Sequence, residues 1–211
     1  MLFLDELPEF KRVVLEVMRQ PLEERIVNIA RAKASVQFPA NFMLVASMNP
    51  SPSGEFYTED GNHPDSPMDV RRYLRKISGP LLDRIDLHIE VTPVSFDQMT
   101  ADLKAEKSSV IRERVIRARE IQSVRFNEMS DVYSNAMMPS QMVKKICLTN
   151  EAGKTLLKTA MEKLGLSACA YDRILKVSRT IADLAGTENI QIEHLAEAIQ
   201  YRSLDREGWM G

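Results

Sequence analysis

The sequence predicts an α/β portion followed by an all-α portion, joined by one long charged helix. Three observations carry that reading. Leu2-Phe3-Leu4 and Phe42-Met43-Leu44-Val45-Ala46 are short continuous apolar runs, which suit strands covered on both faces as in a parallel sheet. Beyond Pro93 such runs give way to apolar residues at helical spacing. Between the two regimes, from Lys104 to Arg125, basic side chains outnumber glutamates. A chain of 211 residues, 44% apolar and 27% charged, is long enough for one large or two smaller packed domains. The expected boundaries are 1–93 for the α/β portion, 94–137 for the linker with its charged helix, and 138–211 for the helical bundle.

The elements follow in order. Leu2-Phe3-Leu4 is the end of a strand. Pro8 opens a helix whose buried face is Phe10, Val13, Val14, Val17 and Met18, and Pro21 ends it. Ile26 to Ala30 and Ser35 to Phe38 form a hairpin around Arg31-Ala32-Lys33. Phe42 to Ala46 is a strand closed by Asn49-Pro50. Residues 50–68 are rich in Pro, Ser, Gly, Asn and Asp and form a long loop. A short helix covers Val70 to Lys76, and Ser78-Gly79-Pro80 starts another turn carrying Leu81, Leu82 and Arg84. Leu87 to Val91 is a strand. A charged helix runs from about Ser108 to Phe126, and Met137 to Ser140 is a break. Leu156, Leu157, Ala160, Met161 and Leu164 stripe one helix, with Gly165 at its C-terminal end. Ser167 caps the next, which buries Ile174, Leu175 and Ile181 and ends at Gly186. Ile192, Leu195, Ala196 and Ile199 stripe the last.

Composition excludes some functions. The net charge of −2 makes any nucleic-acid surface a local one. Two widely spaced cysteines, Cys147 and Cys169, build neither a disulfide framework nor a four-thiolate zinc site, and they fit a reducing, cytoplasmic location. No apolar run spans a bilayer, so no membrane partner is expected. Asp5 and Glu6 interrupt the apolar start, so no signal peptide is read. The three histidines have no metal-ligand spacing, and the methionines suit gap-filling in a core.

Chemistry concentrates at Asp5-Glu6. Carboxylates at the C-terminal end of a buried strand sit where α/β sheets bind ligands. There an Asp helps hold Mg²⁺ on phosphates and a following Glu takes a proton from water. The alternative is a pair of anions favouring the next helix's N-terminus. Asn49, ending a parallel neighbour, orients a water beside Glu6, or else is an Asn-Pro turn. Arg84, flanked by Asp83 and Asp86, is an arginine finger reaching a neighbouring subunit's phosphate, or a salt-bridged surface residue. The Lys104–Arg125 stretch tracks a phosphate backbone, or is a solvated helix with pairs such as Glu113–Arg117.

The order and spacing of LFLDELPEF, VLEVMRQPLE, FPANFMLVASMNP, RYLRKISGPLLDRIDLHIEV and YDRILKVSRTIADLAG resemble the magnesium-chelatase-like AAA+ ATPases, closest to the bacterial competence-associated branch. The resemblance covers nearly the whole chain. It implies the C-terminal part of an AAA+ P-loop NTPase core with its parallel sheet, followed by an all-α lid. It implies Asp5 as the Walker B residue for Mg²⁺, through water, and Glu6 as catalytic base. Asn49 is implied as sensor 1 and Arg84 as the finger acting in trans. The 26–38 hairpin resembles one that can face the central pore of related motors. The implied activity is ATP hydrolysis between subunits of a hexameric-type ring that remodels or translocates DNA. The alternatives are the ATPase subunit of a metal chelatase, or a non-catalytic assembly module.

Three departures qualify the resemblance. The phosphate-cradling G-x-x-x-x-G-K-[ST] loop is absent. The chain therefore reads as the C-terminal part of a longer protein, with Met1 an internal methionine or an imposed start. Alone it is expected neither to bind ATP tightly nor to hydrolyse it. Where many relatives carry paired zinc-binding cysteines, this chain has Ser51 and Ser53, with no cysteine near His63 and Asp65 either, so no structural zinc is expected. The lid's Ser-Ala-Arg step is Ser167-Ala168-Cys169. Arg173, one turn later, either replaces the sensor-2 arginine in contacting ATP or is an ordinary surface residue.

Overall fold

The computed structural model describes residues 1–31, 34–54, 65–91, 94 and 105–202. The hairpin's Ala32-Lys33, most of the long loop with His63, Lys104 and the tail with Trp209 lie outside them. The chain divides into two compact units, one holding Met1–Ile85 and the other Asp86–Ser203.

In the first unit, β1 (Leu2–Leu4) pairs in parallel with β4 (Leu44–Ala46) in the register Leu2–Leu44, Phe3–Val45, Leu4–Ala46. Between them come α1 (Arg12–Val17), α2 (Arg19–Glu24) and an antiparallel hairpin, β2 (Ile26–Arg31) with β3 (Ala34–Pro39). Two short helices follow, α3 (Pro67–Leu74) and α4 (Gly79–Leu82). The core is small: Leu7, Leu15, Ile77, Leu81 and Leu82, with Leu4, Phe10, Met18, Leu22, Met48 and Ile85 packed against it.

Four expectations for this unit fail. Val13, Val14 and Val17 are exposed, and Leu15 is the buried residue of α1, because α1 breaks at Met18 before the expected stripe can form a face. Pro21 does not end a helix. It occupies the first turn of α2, where its missing N–H has no intrahelical partner to lose, and the helix runs on to Arg25 in the left-handed region. The strand at 42–46 is shorter than expected. Its apolar run is also not covered on both faces: Phe3 and Val45 are exposed, and the sheet of β1 and β4 has no third strand among the described residues.

The second unit is helical: α5 (Ser108–Arg125), α6 (Ser140–Ile146), α7 (Glu151–Leu164), α8 (Ala168–Leu184) and α9 (Ile192–Gln200). The break before α6 is as expected, a 3-10 turn at Asn135–Met137. Caps set the helix limits. Asn150 Oδ1 accepts from Gly153 N at 2.8 Å, and Ser167 Oγ accepts from Ala170 N at 3.1 Å. Gly165 takes the left-handed conformation that ends α7, with φ of 59°. Phe126, Met138, Val143, Cys147, Leu157, Ile174, Leu175, Ala182, Ile190, Leu195 and Ala198 form the core. Gly153 allows α7 close to α9: a Cβ there would meet Leu195 Cδ1 at 2.8 Å.

Two expectations fail here. Leu87–Val91 joins no ladder among the described residues. Only His88 is anchored, its N–H donating to Tyr201 O at 2.8 Å, while Leu87, Ile89 and Val91 stay exposed. Ile192 is exposed as well. It stands at the first position of α9, whose buried face is His194, Leu195 and Ala198.

A polar knot crosses this core. Asp183, fully buried, accepts from Arg125 at 2.6 and 2.7 Å, from Asn135 Nδ2 at 2.7 Å and from Arg179 at 3.1 Å. Arg179 also donates to the carbonyls of Thr187 and Glu188. Charge and hydrogen-bonding capacity are both satisfied, as a buried carboxylate requires.

Candidate functional site

The ladder fixes the end of β1. Past Leu4 it continues through two more backbone bonds, Ser47 N to Leu4 O and Leu7 N to Ser47 O, both 2.9 Å. Asp5 and Glu6 therefore stand at the strand's C-terminal end against Ser47, two residues before Asn49. Asp5 Oδ1 accepts from the Ser47 hydroxyl and from Glu6 N at 3.1 Å. Ser47, invisible as a site residue in the sequence, ties the carboxylate to the neighbouring strand.

Glu6 sits at φ 51°, ψ 51°, in the left-handed region. For a residue with a Cβ this costs on the order of 1–2 kcal/mol. Such strain persists where the surroundings enforce it, and it concentrates at functional positions. Here the enforcing contacts are the two bonds to Ser47 and that from Glu9 N to Glu6 O at 2.8 Å.

Tyr73 links the pieces. It is 6% exposed, and Lys76 Nζ lies 5.4 Å from its ring centre. Burial raises its pKa, helped by the charges of Glu9 and Glu6, against an interaction with the Asn49 backbone that lowers it. Glu6 and the Asn49 backbone thus both act on one buried phenol. Asn49 and Gly54 are also close, since a Cβ on Gly54 would lie 3.8 Å from Asn49 Nδ2.

Arg84 is not displayed freely. Its Nη2 pairs with the Glu23 carboxylate, its Nη1 donates to Pro80 O at 2.6 Å, and Nε is buried with no acceptor among the described residues. Arg173, in the second unit, pairs with Asp86 at the start of that unit.

Ser51 and Ser53 form a knot of their own. The two hydroxyl oxygens are 3.2 Å apart, and Asp65 Oδ2 accepts from Ser53 N at 2.9 Å and Ser53 Oγ at 2.6 Å. These donors, with Ser51, hold the Asp65 carboxyl below the usual aspartate range. Among the described residues no group of three or more His, Cys, Asp or Glu could hold a metal ion. Mg²⁺ at nucleotide sites typically takes one or two carboxylates, with water and substrate phosphates completing its shell; Asp5 offers one carboxylate at the strand end.

On α5, Arg114 pairs with Glu106 at 3.0 Å and Arg117 with Glu113 at 3.9 Å, all largely exposed. No helix of the described residues is long and apolar enough to cross a membrane.

Comparison with known proteins gives the family. Residues 1–99 match the family described as magnesium chelatase, subunit ChlI, and residues 105–202 match its C-terminal family. The chain is 50% identical over 207 residues to Competence protein ComM of Haemophilus influenzae. It is 40% identical over 208 residues to Uncharacterized protein YifB of Escherichia coli, and 34% identical over 208 residues to Uncharacterized protein Rv2897c of Mycobacterium tuberculosis. These matches cover 95–97% of this chain and 39% of each relative. The chain thus spans about two fifths of the length of these relatives.

Proposed function

The chain belongs to the magnesium-chelatase-like family, and from that premise we propose that it is the C-terminal part of an AAA+ ATPase. In the whole protein, ATP is hydrolysed between subunits of a hexameric-type ring that remodels or translocates DNA. The observation that carries this reading is the pair Asp5-Glu6 at the end of a strand whose parallel neighbour leads through Ser47 to Asn49.

Each residue has a role that suits its chemistry. Asp5 would hold Mg²⁺, through water, and that ion would supply charge neutralisation on the phosphates. Glu6 accepts a proton from the attacking water. Asn49 orients that water through its amide. Arg84, from the adjacent subunit, stabilises charge that develops on the transferred phosphoryl group. Arg173 is read in the place of the sensor-2 arginine, contacting ATP. Along the chain, 1–93 is read as core, 94–137 as linker and 138–211 as lid, working in the cytoplasm.

One relative is named a competence protein, and DNA as the substrate is our reading for that branch. The description of the matched family supports a second reading, the ATPase subunit of a metal chelatase. DNA-stimulated turnover by the full-length protein separates the two.

The central test replaces Glu6 by Gln in the full-length protein. ATP turnover is expected to fall about 10²–10⁴-fold, the usual worth of a general base, while nucleotide binding persists. Unchanged turnover would remove Glu6 from the role of base, and a wild type without turnover would leave a non-catalytic assembly module as the better description.

A further inference from the structure

Arg84 lines an open groove with Glu16, Arg19, Gln20, Glu23 and Glu24. The other carboxylates of the groove are committed locally: Glu16 to Arg19 and Glu24 to Gln20, each at 2.7 Å. Glu23 alone crosses from α2 to Arg84. The guanidinium is thereby turned onto its own subunit, one Nη on Glu23 and the other on the Pro80 carbonyl. A phosphate is recognised by a fork of two parallel N–H groups, and in this arrangement both ends of the fork are occupied.

We propose that Glu23 is a positioning residue that holds Arg84 withdrawn until the phosphate of a neighbouring subunit's nucleotide displaces it. The proposal rests on the trans-acting role given to Arg84 above. Two features fit an exchangeable contact. Glu23 is 46% and Arg84 21% exposed, so the pair opens to solvent by side-chain rotation alone. A pair this exposed biases an equilibrium by a factor of roughly two to five, and a multiply charged phosphate in a drier interface works against that bias. The withdrawn state is also imperfect, because Arg84 Nε is buried there without an acceptor among the described residues. The latch therefore lowers, without abolishing, turnover of the nucleotide on the neighbouring subunit, because withdrawal onto Glu23 competes with engagement of that phosphate.

The test is steady-state ATP turnover by the full-length protein. Glu23→Gln is expected to raise kcat about threefold with KM for ATP unchanged, and Glu23→Asp, which keeps the carboxylate, to stay near the wild type. In an Arg84→Ala background, Glu23→Gln is expected to have no effect, because the residue acts only through that guanidinium. A kcat at or below wild type for Glu23→Gln, or an equal effect in both backgrounds, overturns the latch and leaves the finger standing. If Arg84→Ala turns over like the wild type, or the wild type hydrolyses no ATP, the finger itself fails and the latch with it.

Discussion

At the scale of single residues, burial decides which groups can act. Cys147 is buried and its thiol is pushed up to about 12 by that burial, while Cys169 is exposed. The thiolate is the reactive form, so Cys147 stays protonated throughout the neutral range. Alkylation of the native chain at pH 8 is expected to add one label, on Cys169, and Cys169→Ser to abolish it; mass spectrometry checks both. The same contrast explains which site residues were legible. The place of Asp5 and Glu6 at a strand end could be read because an apolar run ends in them. Glu23 could not, because its partner Arg84 is remote in sequence and a remote ion pair leaves no periodic trace. Asp183 escaped for a similar reason: its partners Arg125 and Asn135 come from other segments.

At the scale of elements, caps were more legible than faces. Ser167, Gly165 and Gly186 mark helix limits because a hydroxyl acceptor or a positive φ is a local requirement. Burial is not local, and the stripe Val13, Val14, Val17 and the alternation of Leu87–Val91 misled for that reason. Each shows a capacity for covering that no described neighbour meets. The capping argument has a measurable form. Ser167→Ala is expected to destabilise the helical unit by about 1 kcal/mol. Gly153→Ala is expected to cost about 1–3 kcal/mol through overpacking against Leu195, although alanine raises helix propensity. Urea unfolding followed by circular dichroism distinguishes them, and a stabilising Gly153→Ala would show that α7 and α9 can separate freely.

At the scale of the whole molecule, the two units differ in how much they bury. The first rests on a core of Leu7, Leu15, Ile77, Leu81 and Leu82, whereas the second has the larger apolar cluster and the Asp183 knot. Heating the 211-residue chain is expected to give two transitions, the unit Met1–Ile85 melting first. Limited proteolysis near the first midpoint should leave a resistant product within 105–202. A single transition with no such product would contradict the division. The fold class was visible in the sequence because strand-like and helical periods occupy separate stretches. The sheet's extent was not, because a run of apolar residues does not count its neighbours.

The parallel ladder joins Leu2–Leu4 to Leu44–Ala46, with the helices and the hairpin threaded between. Such a pairing gains nothing until a long loop has closed, so its loop-closure entropy is met before its contacts form. Three residue pairs are a meagre return on that closure. The bond from Ser47 to Asp5 should accordingly be among the late contacts to appear in refolding and among the early ones to open under hydrogen exchange, which makes the acidic corner a timer for completion of its unit.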